Sequence, residues 1–348
     1  DWCITNELFV LFASPTANLA RNTKALFPSP FVTCDTVHAM FKIPIDGSES
    51  VVNFALSKFS LIVIEEVGMV SERNMLHVKK SIDVLPSNPV LLLIGDRYQQ
   101  SPLETLNGVT TTALNIFSSD FFPSCVRFKL YFQHRCECTI LQNLLDILRL
   151  SMPSGKQVQK LVDDLLVPQY EDFSQTIINS FIDSPHSQFL TITRSASHLI
   201  NQTLTSHIFQ NEYPLRIVKN AEFKDVEVYE GLPIYITENI NKHNNLVNGQ
   251  QASVISFSHH CLFIRLSGGS EQFLHCRQNE QGIFYYPFLT HFSSTICRSQ
   301  GKNLNEITVW LDRKKSSNGA GYVAFSRVKR YSSIKLLLPV NRFQLTPV

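Results

Sequence analysis

Three apolar segments of the same form constrain the fold most strongly. Each has four to six consecutive aliphatic or aromatic residues and then changes abruptly to small or acidic residues; they are "ELFVLFASPT" at 7–16, "FSLIVIEE" at 59–66 and "PVLLLIGD" at 89–96. The pattern is typical of strands that are buried on both faces of a parallel sheet and end at its polar edge. The segment "ERNMLHVKKSIDVL" at 72–85 is long enough for a crossover helix. We therefore predict an α/β fold that binds ligands where these strands end.

Two adjacent carboxylates, Glu65 and Glu66, follow the second apolar segment directly. Burying one unpaired carboxylate is costly, and two neighbouring carboxylates repel each other, so we expect a cation close by. The third segment continues into "GDRYQQSP" at 95–102. In nucleotide hydrolysis, one carboxylate holds Mg²⁺ through water, a second activates the attacking water, and a neutral amide senses the terminal phosphate. The two strand ends together predict a nucleotide site.

The second half of the chain has a different pattern of apolar and polar residues. The segment "ECTILQNLLDILRLS" at 137–151 has apolar residues at helical spacing, whereas 211–290 is polar, with the turn signals "NKHNNLVNG" and "LSGGSE" of short antiparallel strands. The segment "EITVWLD" at 306–312 is typical of another buried strand. We predict a second α/β domain interrupted by a small β insert. The predicted divisions are 1–128, 129–210, 211–288 and 289–348.

Composition excludes some classes of protein. The 348 residues are 44% hydrophobic and 17% charged, which indicates a folded chain rather than a disordered one. The net charge of +2 is too small to attract nucleic acid over the whole surface, so any such surface has to be a local groove. The apolar run "LFVLFA" at 8–13 is too short for a signal peptide, and no run is long enough to span a membrane. We predict an intracellular protein without a membrane partner.

The eight cysteines show no disulfide framework. They are scattered along the chain, and the closest pair, Cys136 and Cys138, is separated by a single residue. We interpret all eight as reduced thiols of an intracellular protein. The best metal candidate among them is "HHC" at 259–261 with His275 and Cys276, and it is a weak one because no ligand spacing is repeated.

Eight segments, in order, resemble the motifs of superfamily 1 DNA helicases of the 5′-to-3′ branch, the one that contains RecD and the PIF-type helicases. The acidic turn "LIVIEEVGMV" stands where that family has LIIDEVSMV, and "GDRYQQSP" stands where it has GDxxQLPP. The other six are "FASPTANLA", "TVHAMF", "YFQHRCE", "FLTITRSASHLIN", "THFSSTICRSQGKNLNEITVWL" and "GYVAFSRVKRYSSIKLL". The segment "LVNGQQASVISF" at 246–257 is similar to the LVNGxxGxV of the family's SH3-like insert. The resemblance implies two RecA-like domains, the second with an SH3-like β insert.

The resemblance also implies which residues carry out ATP hydrolysis. It assigns Glu65 to Mg²⁺ through water, Glu66 to activation of the attacking water, and Gln99 to sensing the phosphate. Arg135 and Arg327 supply positive charge to the terminal phosphate. The remaining nucleotide-binding positions are Asp96, Gln300 and Gly301.

Single-stranded nucleic acid is the second ligand that the resemblance implies. The phosphates of the strand are expected to accept hydrogen bonds from side chains of both domains, with Phe41 available for base stacking. The residues assigned to the phosphates are Thr16, His38, Thr295, Arg298 and Ser299.

One part of the family's nucleotide site is missing from these 348 residues. The phosphate-binding loop G-x-x-x-x-G-K-S/T does not occur: Gly155-Lys156 is followed by Gln157, and Gly301-Lys302 is followed by Asn303. The loop is expected before Asp1, in a longer chain that hydrolyses ATP. The alternative is a degenerate helicase that binds DNA or partners without hydrolysis. Glu65 in place of aspartate and Gly68 in place of serine favour that alternative.

The branch within the family remains open. Glycine after the acidic pair, and "HRC" at 134–136, are similar to the helicase subunit of the herpesvirus helicase-primase. That similarity implies a primase or another replication subunit as partner and a nuclear location. A transposon-borne or cellular PIF-type helicase is the competing possibility, and an ATPase that acts on RNA is a third.

Overall fold

The computed structural model of the chain describes residues 2–44, 48, 51–106, 109–114, 116–118, 125–130, 135–315 and 318–347. The chain divides into unit 1, Asp1–Tyr131 with Val348, and unit 2, Phe132–Pro347. Residues 131–134 of the segment "YFQHRCE" lie outside the described residues, whereas Arg135 is described. Each unit is built around its own parallel sheet.

Unit 1 contains a sheet of four parallel strands. The strands are β1 (Val10–Ser14), β2 (Val32–Thr36), β3 (Leu61–Ile64) and β4 (Val90–Leu93), and their order is β2-β1-β3-β4. The helices of the unit are α1 (Trp2–Thr5), α2 (Ala17–Leu26), α3 (Val37–Phe41) and α4 (Glu72–Asp83). A separate hairpin pairs β5 (Leu103–Leu106) with β6 (Val109–Thr112), and short 3₁₀ turns cover Phe54–Lys58, Val67–Met69 and Ile116–Ser118.

Both faces of β1 are covered by helices. Leu11 of β1 lies in register with Ile62 of β3. Both residues belong to one hydrophobic core, to which α4 contributes Met75 and Val78. On the opposite face α2 packs against β1 and β2, and the rings of Phe12 and Phe27 stack with their centroids 5.1 Å apart. The helix predicted over 72–85 and the strands predicted in the first two apolar segments are therefore confirmed.

The third apolar segment differs from its prediction. β4 is the edge strand of the sheet as far as the structure describes it. Val90, Leu92 and Ile94 are 66%, 42% and 47% exposed, while the alternating Leu91 and Leu93 pack partly against the core. The prediction that this strand is buried on both faces is wrong, because no described element covers its second face. As an edge strand, β4 also has backbone groups that are able to pair with a further strand.

Unit 2 also has a parallel sheet of four strands. They are β7 (Gln188–Thr191), β17 (Ser293–Thr295), β18 (Ile307–Trp310) and β19 (Ile334–Leu336), in the order β17-β7-β18-β19. Its helices are α5 (Thr139–Leu150), α6 (Gly155–Leu165), α7 (Phe173–Asp183), α8 (Arg194–Ile208), α9 (Ile296–Ser299) and α10 (Ala320–Phe325), with 3₁₀ turns at Tyr331–Ser333 and Arg342–Leu345. The helix predicted over 137–151 and the strand predicted over 306–312 are confirmed.

An antiparallel region lies between β7 and β17 in the sequence. Its strands are β8 (Arg216–Lys219), β9 (Asp225–Val228), β10 (Pro233–Ile236), β11 (Gln251–Ser258), β12 (Cys261–Leu266), β13 (Glu271–His275), β14 (Arg277–Gln278), β15 (Phe284–Tyr285) and β16 (Phe288–Thr290). The main sheet has the order β13-β12-β11-β10-β16, and two hairpins accompany it, β8 with β9 and β14 with β15. The hydrophobic core of this region contains Ile234, Ile264 and Phe288, which are fully buried.

Helix caps fix the loops that follow the strands. Thr16, Ser71 and Thr193 each precede a helix and accept a hydrogen bond from a backbone N–H of its first turn. Such caps stabilise a helix by about 1 kcal/mol each and set where it begins. Among the described residues, no helix has both the length and the apolar character needed to cross a membrane.

Candidate nucleotide and nucleic-acid sites

The acidic turn of unit 1 lies where β1 and β3 end side by side. The backbone N–H of Glu65 donates to the carbonyl of Ala13 at 3.1 Å. The Glu65 carboxylate accepts hydrogen bonds from the Ser14 hydroxyl at 2.7 Å and from the Thr23 hydroxyl at 2.8 Å. Ser14 ends β1 and Thr23 lies on α2, so two elements fix the position of this carboxylate.

The donors to Glu65 are neutral, so its negative charge is stabilised but not balanced. In the described part of the chain Glu65 forms no ion pair. Carboxylate oxygens are ligands that Mg²⁺ accepts directly or through water. The nearby Cys34 is no competing ligand: burial, aided by Glu65 and Asp35 and opposed by Lys24, raises the pKa of its thiol to about 11. The turn fits a divalent cation.

Glu66 has an unusual backbone conformation. Its φ of 45° lies in the left-handed region, which costs a residue with a side chain about 1–3 kcal/mol. The following turn holds this conformation: Met69 N–H donates to the Glu66 carbonyl at 2.8 Å, and Val67 N–H donates to the Ile94 carbonyl at 2.9 Å. The strain is therefore located at the residue that the resemblance assigns to activation of water.

The two polar strand ends pack closely, and Gly95 makes this possible. A Cβ at Gly95 would lie 2.9 Å from a methyl carbon of Val67 and 3.0 Å from the Val67 nitrogen. We expect Gly95→Ala to lower the free energy of unfolding of unit 1 by about 1–3 kcal/mol, because the acidic turn has to move. Denaturant titration followed by circular dichroism measures this change. Gly155→Ala is the matched control, because a Cβ there meets no atom within 4 Å; an equal loss in both variants would contradict this role of Gly95.

Asp96 and Gln99 form a compact turn after β4. Tyr98 N–H donates to the Asp96 carboxylate at 3.0 Å, and Gln99 N–H approaches the Asp96 carbonyl at 3.4 Å. Gln99 is 7% exposed. The structure thus places the predicted phosphate sensor in the protein interior, on a loop whose backbone is tied to the acidic turn.

Of the nucleic-acid residues predicted in unit 1, one cannot reach a base. The exposed Thr16 accepts from Leu19 N–H at 3.3 Å, and its hydroxyl donates to none of the described residues. His38 is half-buried beside Asn74, at 3.4 Å, and burial lowers its pKa, so it is neutral near pH 7. Phe41 is 0% exposed and belongs to the core of unit 1. The prediction that Phe41 stacks on a base is wrong, because its apolar ring is needed to fill that core.

The two predicted arginines of unit 2 meet at Ser326. Arg327 is only 2% exposed, and its guanidinium donates to the Val323 carbonyl at 2.8 Å and to the Ser326 hydroxyl at 2.7 Å. The exposed Arg135 donates to the Ser326 carbonyl at 3.3 Å. Arg327 is therefore part of the interior of its unit as well as a candidate for phosphate binding.

The segment around α9 contains the remaining predicted residues. Gln300 follows the helix, and Gly301 has a φ of 76°, which favours glycine. Ser299 is 1% exposed and its hydroxyl donates to the Ile296 carbonyl at 2.7 Å. The prediction that Ser299 binds a phosphate is wrong, since its proton is used inside the helix. Thr295 and Arg298, in contrast, line a cavity.

We call this cavity the α8 cavity, because one side of α8 forms a wall of it. Its volume is about 530 Å³, within the range of sites that hold small ligands. The hairpin β8–β9 and residues of β10, β16 and β17 complete the lining. The Arg298 guanidinium lies 5.0 Å from the centroid of the Tyr235 ring. The cavity thus brings Thr295 and Arg298, which were predicted from the sequence to bind nucleic acid, together with Tyr235, which was not.

His291 is buried next to this region. Its Nε2 lies 2.8 Å from Gln251 Nε2, its ring packs edge-on against Tyr235, and burial, aided by Lys302, lowers its pKa to about 3. The unfolded chain binds a proton at this histidine near pH 6.5 and the folded chain does not. The free energy of unfolding therefore falls as the pH drops below about 6.5, by about 1.4 kcal/mol per pH unit until the folded pKa is reached.

We expect His291→Gln to remove this part of the pH dependence. Chemical denaturation at pH 7 and at pH 5 should show a loss of stability on acidification that is about 2 kcal/mol smaller in the variant than in the unchanged chain. The exposed His186, changed to Gln, serves as the control. The same loss in all three proteins would contradict the burial of a neutral His291.

The weak metal candidate among the cysteines does not form a site. Cys261 Sγ lies 2.9 Å from His275 Nδ1 across the strand pair β12–β13. Within the described ranges, no group of three or more His, Cys, Asp or Glu side chains is arranged to hold a metal ion. This does not bear on Mg²⁺ at Glu65, where water would complete the coordination.

Comparison with family models and with curated proteins gives no match. Solved structures are similar. The Pif1 helicase from Bacteroides in complex with ADP-AlF3 and ssDNA has a TM-score of 0.69 and 16% identity, over 97% of this chain and 84% of that chain. Bacteroides Pif1 bound to ssDNA has a TM-score of 0.70 and 16% identity, over 99% and 86%. The Pif1 helicase from Candida albicans has a TM-score of 0.67 and 14% identity, over 99% and 94%.

The chain has the fold of a Pif1 helicase. The α/β class and the two parallel-sheet, RecA-like domains implied by the resemblance are thereby confirmed. The description of the antiparallel region as SH3-like stays a prediction, as do the four domain boundaries. The site residues are described by their own geometry, because identity of 14–16% shows the fold alone.

Sequence reasoning missed several residues of the Pif1-like fold that matter at these sites. Ser14 and Thr23, the donors to Glu65, lie in and just after the segment "FASPTANLA". Their residue types are common, so nothing in the sequence marks them as donors to a carboxylate. Arg194 lies within a segment that resembles a family motif, whereas Tyr235 is on a distant strand. Only the folded chain brings Tyr235 and Arg298 together, so no local pattern could have indicated it.

Proposed function

We propose that this chain is the motor part of a DNA helicase that binds single-stranded DNA and hydrolyses ATP with Mg²⁺ to move 5′-to-3′ along the strand. The observation that carries the proposal is the acidic turn: a half-buried Glu65 carboxylate held by two hydroxyls at the end of a parallel strand, with a strained Glu66 beside it. The Pif1-like fold supports it, since structures with that fold hold ssDNA and ADP-AlF3. Replication, recombination and repair are the processes in which such a motor acts.

The proposed roles follow the geometry of unit 1. Glu65 would hold Mg²⁺ through water, and Ser14 and Thr23 orient its carboxylate for that task. Bound Mg²⁺ neutralises charge on the phosphates of ATP. Glu66 accepts a proton from the attacking water, which is the role of a general base. Asp96 and Gln99 lie on the neighbouring loop and are proposed to sense the terminal phosphate.

The proposed roles in unit 2 rest on residue type. Arg135 and Arg327 are proposed to contribute positive charge to the terminal phosphate, and Gln300 and Gly301 to bind the nucleotide. Thr16 and His38 in unit 1, and Thr295 and Arg298 in unit 2, are proposed to contact the phosphates of the strand. These side chains donate hydrogen bonds to phosphates, so the contacts do not depend on the base sequence of the DNA.

The phosphates of ATP need a loop that these 348 residues do not contain. We propose that a further strand carrying this loop pairs with β4. The edge position of β4 supports this, because no described strand lies beside its outer backbone groups. The competing proposal is a catalytically inactive helicase-like subunit that binds DNA or a partner; Glu65 in place of aspartate and Gly68 in place of serine favour it.

Partners beyond single-stranded DNA are proposed from the sequence alone. Glycine after the acidic pair supports a helicase-primase subunit, with a primase or another replication subunit as partner and a nuclear location. A PIF-type helicase of a cell or transposon, or a motor on RNA, would leave the same hydrolytic residues in place.

The deciding experiment compares ATP hydrolysis by two polypeptides. One is the 348-residue chain, and the other is the same chain extended by its own coding sequence upstream of Asp1. We expect no hydrolysis stimulated by single-stranded DNA from the first, and strong stimulation from the second if that sequence encodes the loop. A high rate from the 348 residues alone would contradict the need for the loop; an extended chain that carries the loop and stays inactive would favour the binding subunit.

A further inference from the structure

One carboxylate of unit 1 lies between the loop that follows β4 and the helix that follows the acidic turn. The side chain of Glu104, on β5, is 16% exposed. Its Oε1 accepts hydrogen bonds from the Arg73 guanidinium and from the Ser71 hydroxyl, each at 3.2 Å. Ser71 also caps α4, because its hydroxyl accepts from Asn74 N–H at 3.3 Å. Glu104 therefore holds the first turn of α4 through one charged and one neutral contact.

The ion pair of Glu104 differs from the ion pair at the other end of α4. The side chains of Arg73 and Glu104 are 30% and 16% exposed, whereas those of Lys79 and Asp83 are 46% and 55% exposed. Exposed pairs contribute little because water and salt screen them, and partly buried pairs are screened less. The pair of Arg73 and Glu104 is therefore the firmer connection of the two.

The hairpin β5–β6 connects this carboxylate to the loop 96–102, which contains the proposed phosphate sensor. β5 begins directly after the loop. At the open end of the hairpin, Ala113 N–H donates to the Pro102 carbonyl at 2.8 Å, and the adjacent Leu114 carbonyl accepts from Glu72 N–H at 2.9 Å. A displacement of the loop therefore reaches the first turn of α4 through the backbone as well as through the carboxylate on β5.

The first turn of α4 also contacts a residue that is proposed to bind the strand. Asn74 Nδ2 lies 3.4 Å from His38 Nε2, and Asn74 is 8% exposed. Burial lowers the pKa of His38, while Glu104 raises it and Arg73 lowers it, so the histidine ring lies within the field of both charges. Contacts thus run without interruption from the loop 96–102 through Glu104 and α4 to His38.

We propose that Glu104 is a positioning residue that couples the loop 96–102 to the contact of His38 with single-stranded DNA. The inference rests on the proposed function and deepens it, because it names the side chain through which nucleotide and strand affect each other. In this role Glu104 touches neither ligand. Coupling between two sites is reciprocal in binding free energy, so a strand bound at His38 stabilises the loop even without nucleotide. The 348-residue chain is therefore sufficient for a test.

The test measures hydrogen exchange of the loop 96–102 by mass spectrometry, with and without saturating oligothymidylate. The backbone N–H groups of Tyr98 and Gln99 donate to Asp96 within this loop, so their exchange reports its opening. In the unchanged chain we expect oligothymidylate to slow this exchange by about fivefold or more, as for other coupled sites. Fluorescence anisotropy of a fluorescein-labelled oligothymidylate establishes saturation for each protein.

Glu104→Gln keeps the size of the side chain and removes its charge. This variant should bind oligothymidylate within about twofold of the unchanged chain, because Glu104 does not contact the strand, while the slowing in the loop falls below about twofold. Arg73→Gln removes the other half of the pair and should also lose the slowing. The double variant should lose no more than either single variant, because the two side chains act as a unit.

Asp83→Asn is the matched control. It breaks the exposed ion pair with Lys79 at the other end of α4, away from the first turn. The slowing of exchange in the loop 96–102 should therefore be the same in Asp83→Asn as in the unchanged chain.

The ratio of the exchange rates with and without oligothymidylate separates coupling from stability. If Glu104 only stabilised unit 1, Glu104→Gln would speed exchange in both states and leave the ratio unchanged, and that result overturns the inference. Arg73→Gln decides in the same way if Glu104→Gln does not fold. The inference is also overturned, while DNA binding stands, if the unchanged chain binds and its loop is not slowed. If the unchanged chain does not bind at low salt, the proposed function and this inference both fail.

Discussion

Glu66→Gln should lower DNA-stimulated ATP hydrolysis by about a hundred- to ten-thousand-fold in a polypeptide that combines this chain with a phosphate-binding loop. Glutamine has nearly the size of glutamate and cannot accept the proton of the attacking water. The affinity for single-stranded DNA should stay the same, because Glu66 lies at the end of a strand in unit 1 and is not among the residues proposed to contact the strand. Steady-state hydrolysis and anisotropy measure the two properties separately.

A nearby carboxylate provides the control for this variant. Glu72 begins α4, is half-buried like Glu66, and is assigned no role in hydrolysis. Glu72→Gln should hydrolyse ATP at the unchanged rate. If Glu66→Gln hydrolyses ATP normally, the proposed base is wrong; if it unfolds at a much lower temperature, the strained Glu66 is a structural residue instead.

Arg327→Ala should destabilise unit 2 by about 3 kcal/mol or more. The guanidinium is 2% exposed and donates to Val323, Ser326 and Lys302, so its removal leaves a void and unpaired acceptors in the interior. Arg327→Lys should lose less, because the charge remains while the planar arrangement of donors does not. Denaturant titration of the purified variants measures both differences.

The consequence for function is that Arg327→Ala is a poor test of phosphate binding, since it changes the fold as well. ATP hydrolysis should instead be measured for Arg327→Lys, at a temperature where this variant is folded. A loss of hydrolysis there reports on phosphate binding and not on unfolding. The control is Arg313→Ala, an exposed arginine of the same unit, which should be neutral within about 0.5 kcal/mol. Equal stability of Arg327→Ala and Arg313→Ala would contradict the interior role of Arg327.

The sequence predicted the strands of the parallel sheets well, because an aliphatic run that changes abruptly to polar residues is typical of a strand that leaves the core at the edge of a sheet. It could not predict which strand is at the edge. The segment containing β4 is as apolar as that of β3, yet Val90 and Leu92 are exposed, since the neighbour of a strand is set by topology and not by its own composition. For the same reason, the sequence did not predict that β1 and α2 supply the hydrogen-bond donors of the acidic turn.

The candidate sites were predicted less completely. A motif match gives the residue type at a position but not the direction of the side chain. Phe41 and Ser299 match their motifs, yet one fills the core and the other bonds within α9. Conversely, the hydroxyls that hold Glu65, and the ring beneath Arg298, come from distant positions. Contacts of this kind become visible only in the folded chain.

The most direct test of the central claim is the affinity of the 348-residue chain for single-stranded DNA compared with a duplex of the same length, measured by anisotropy as a function of salt. We predict binding to the single strand that is tighter than to the duplex and that weakens steeply as salt is added. Absence of binding at low salt, or equal binding to both forms with no salt dependence, would contradict it.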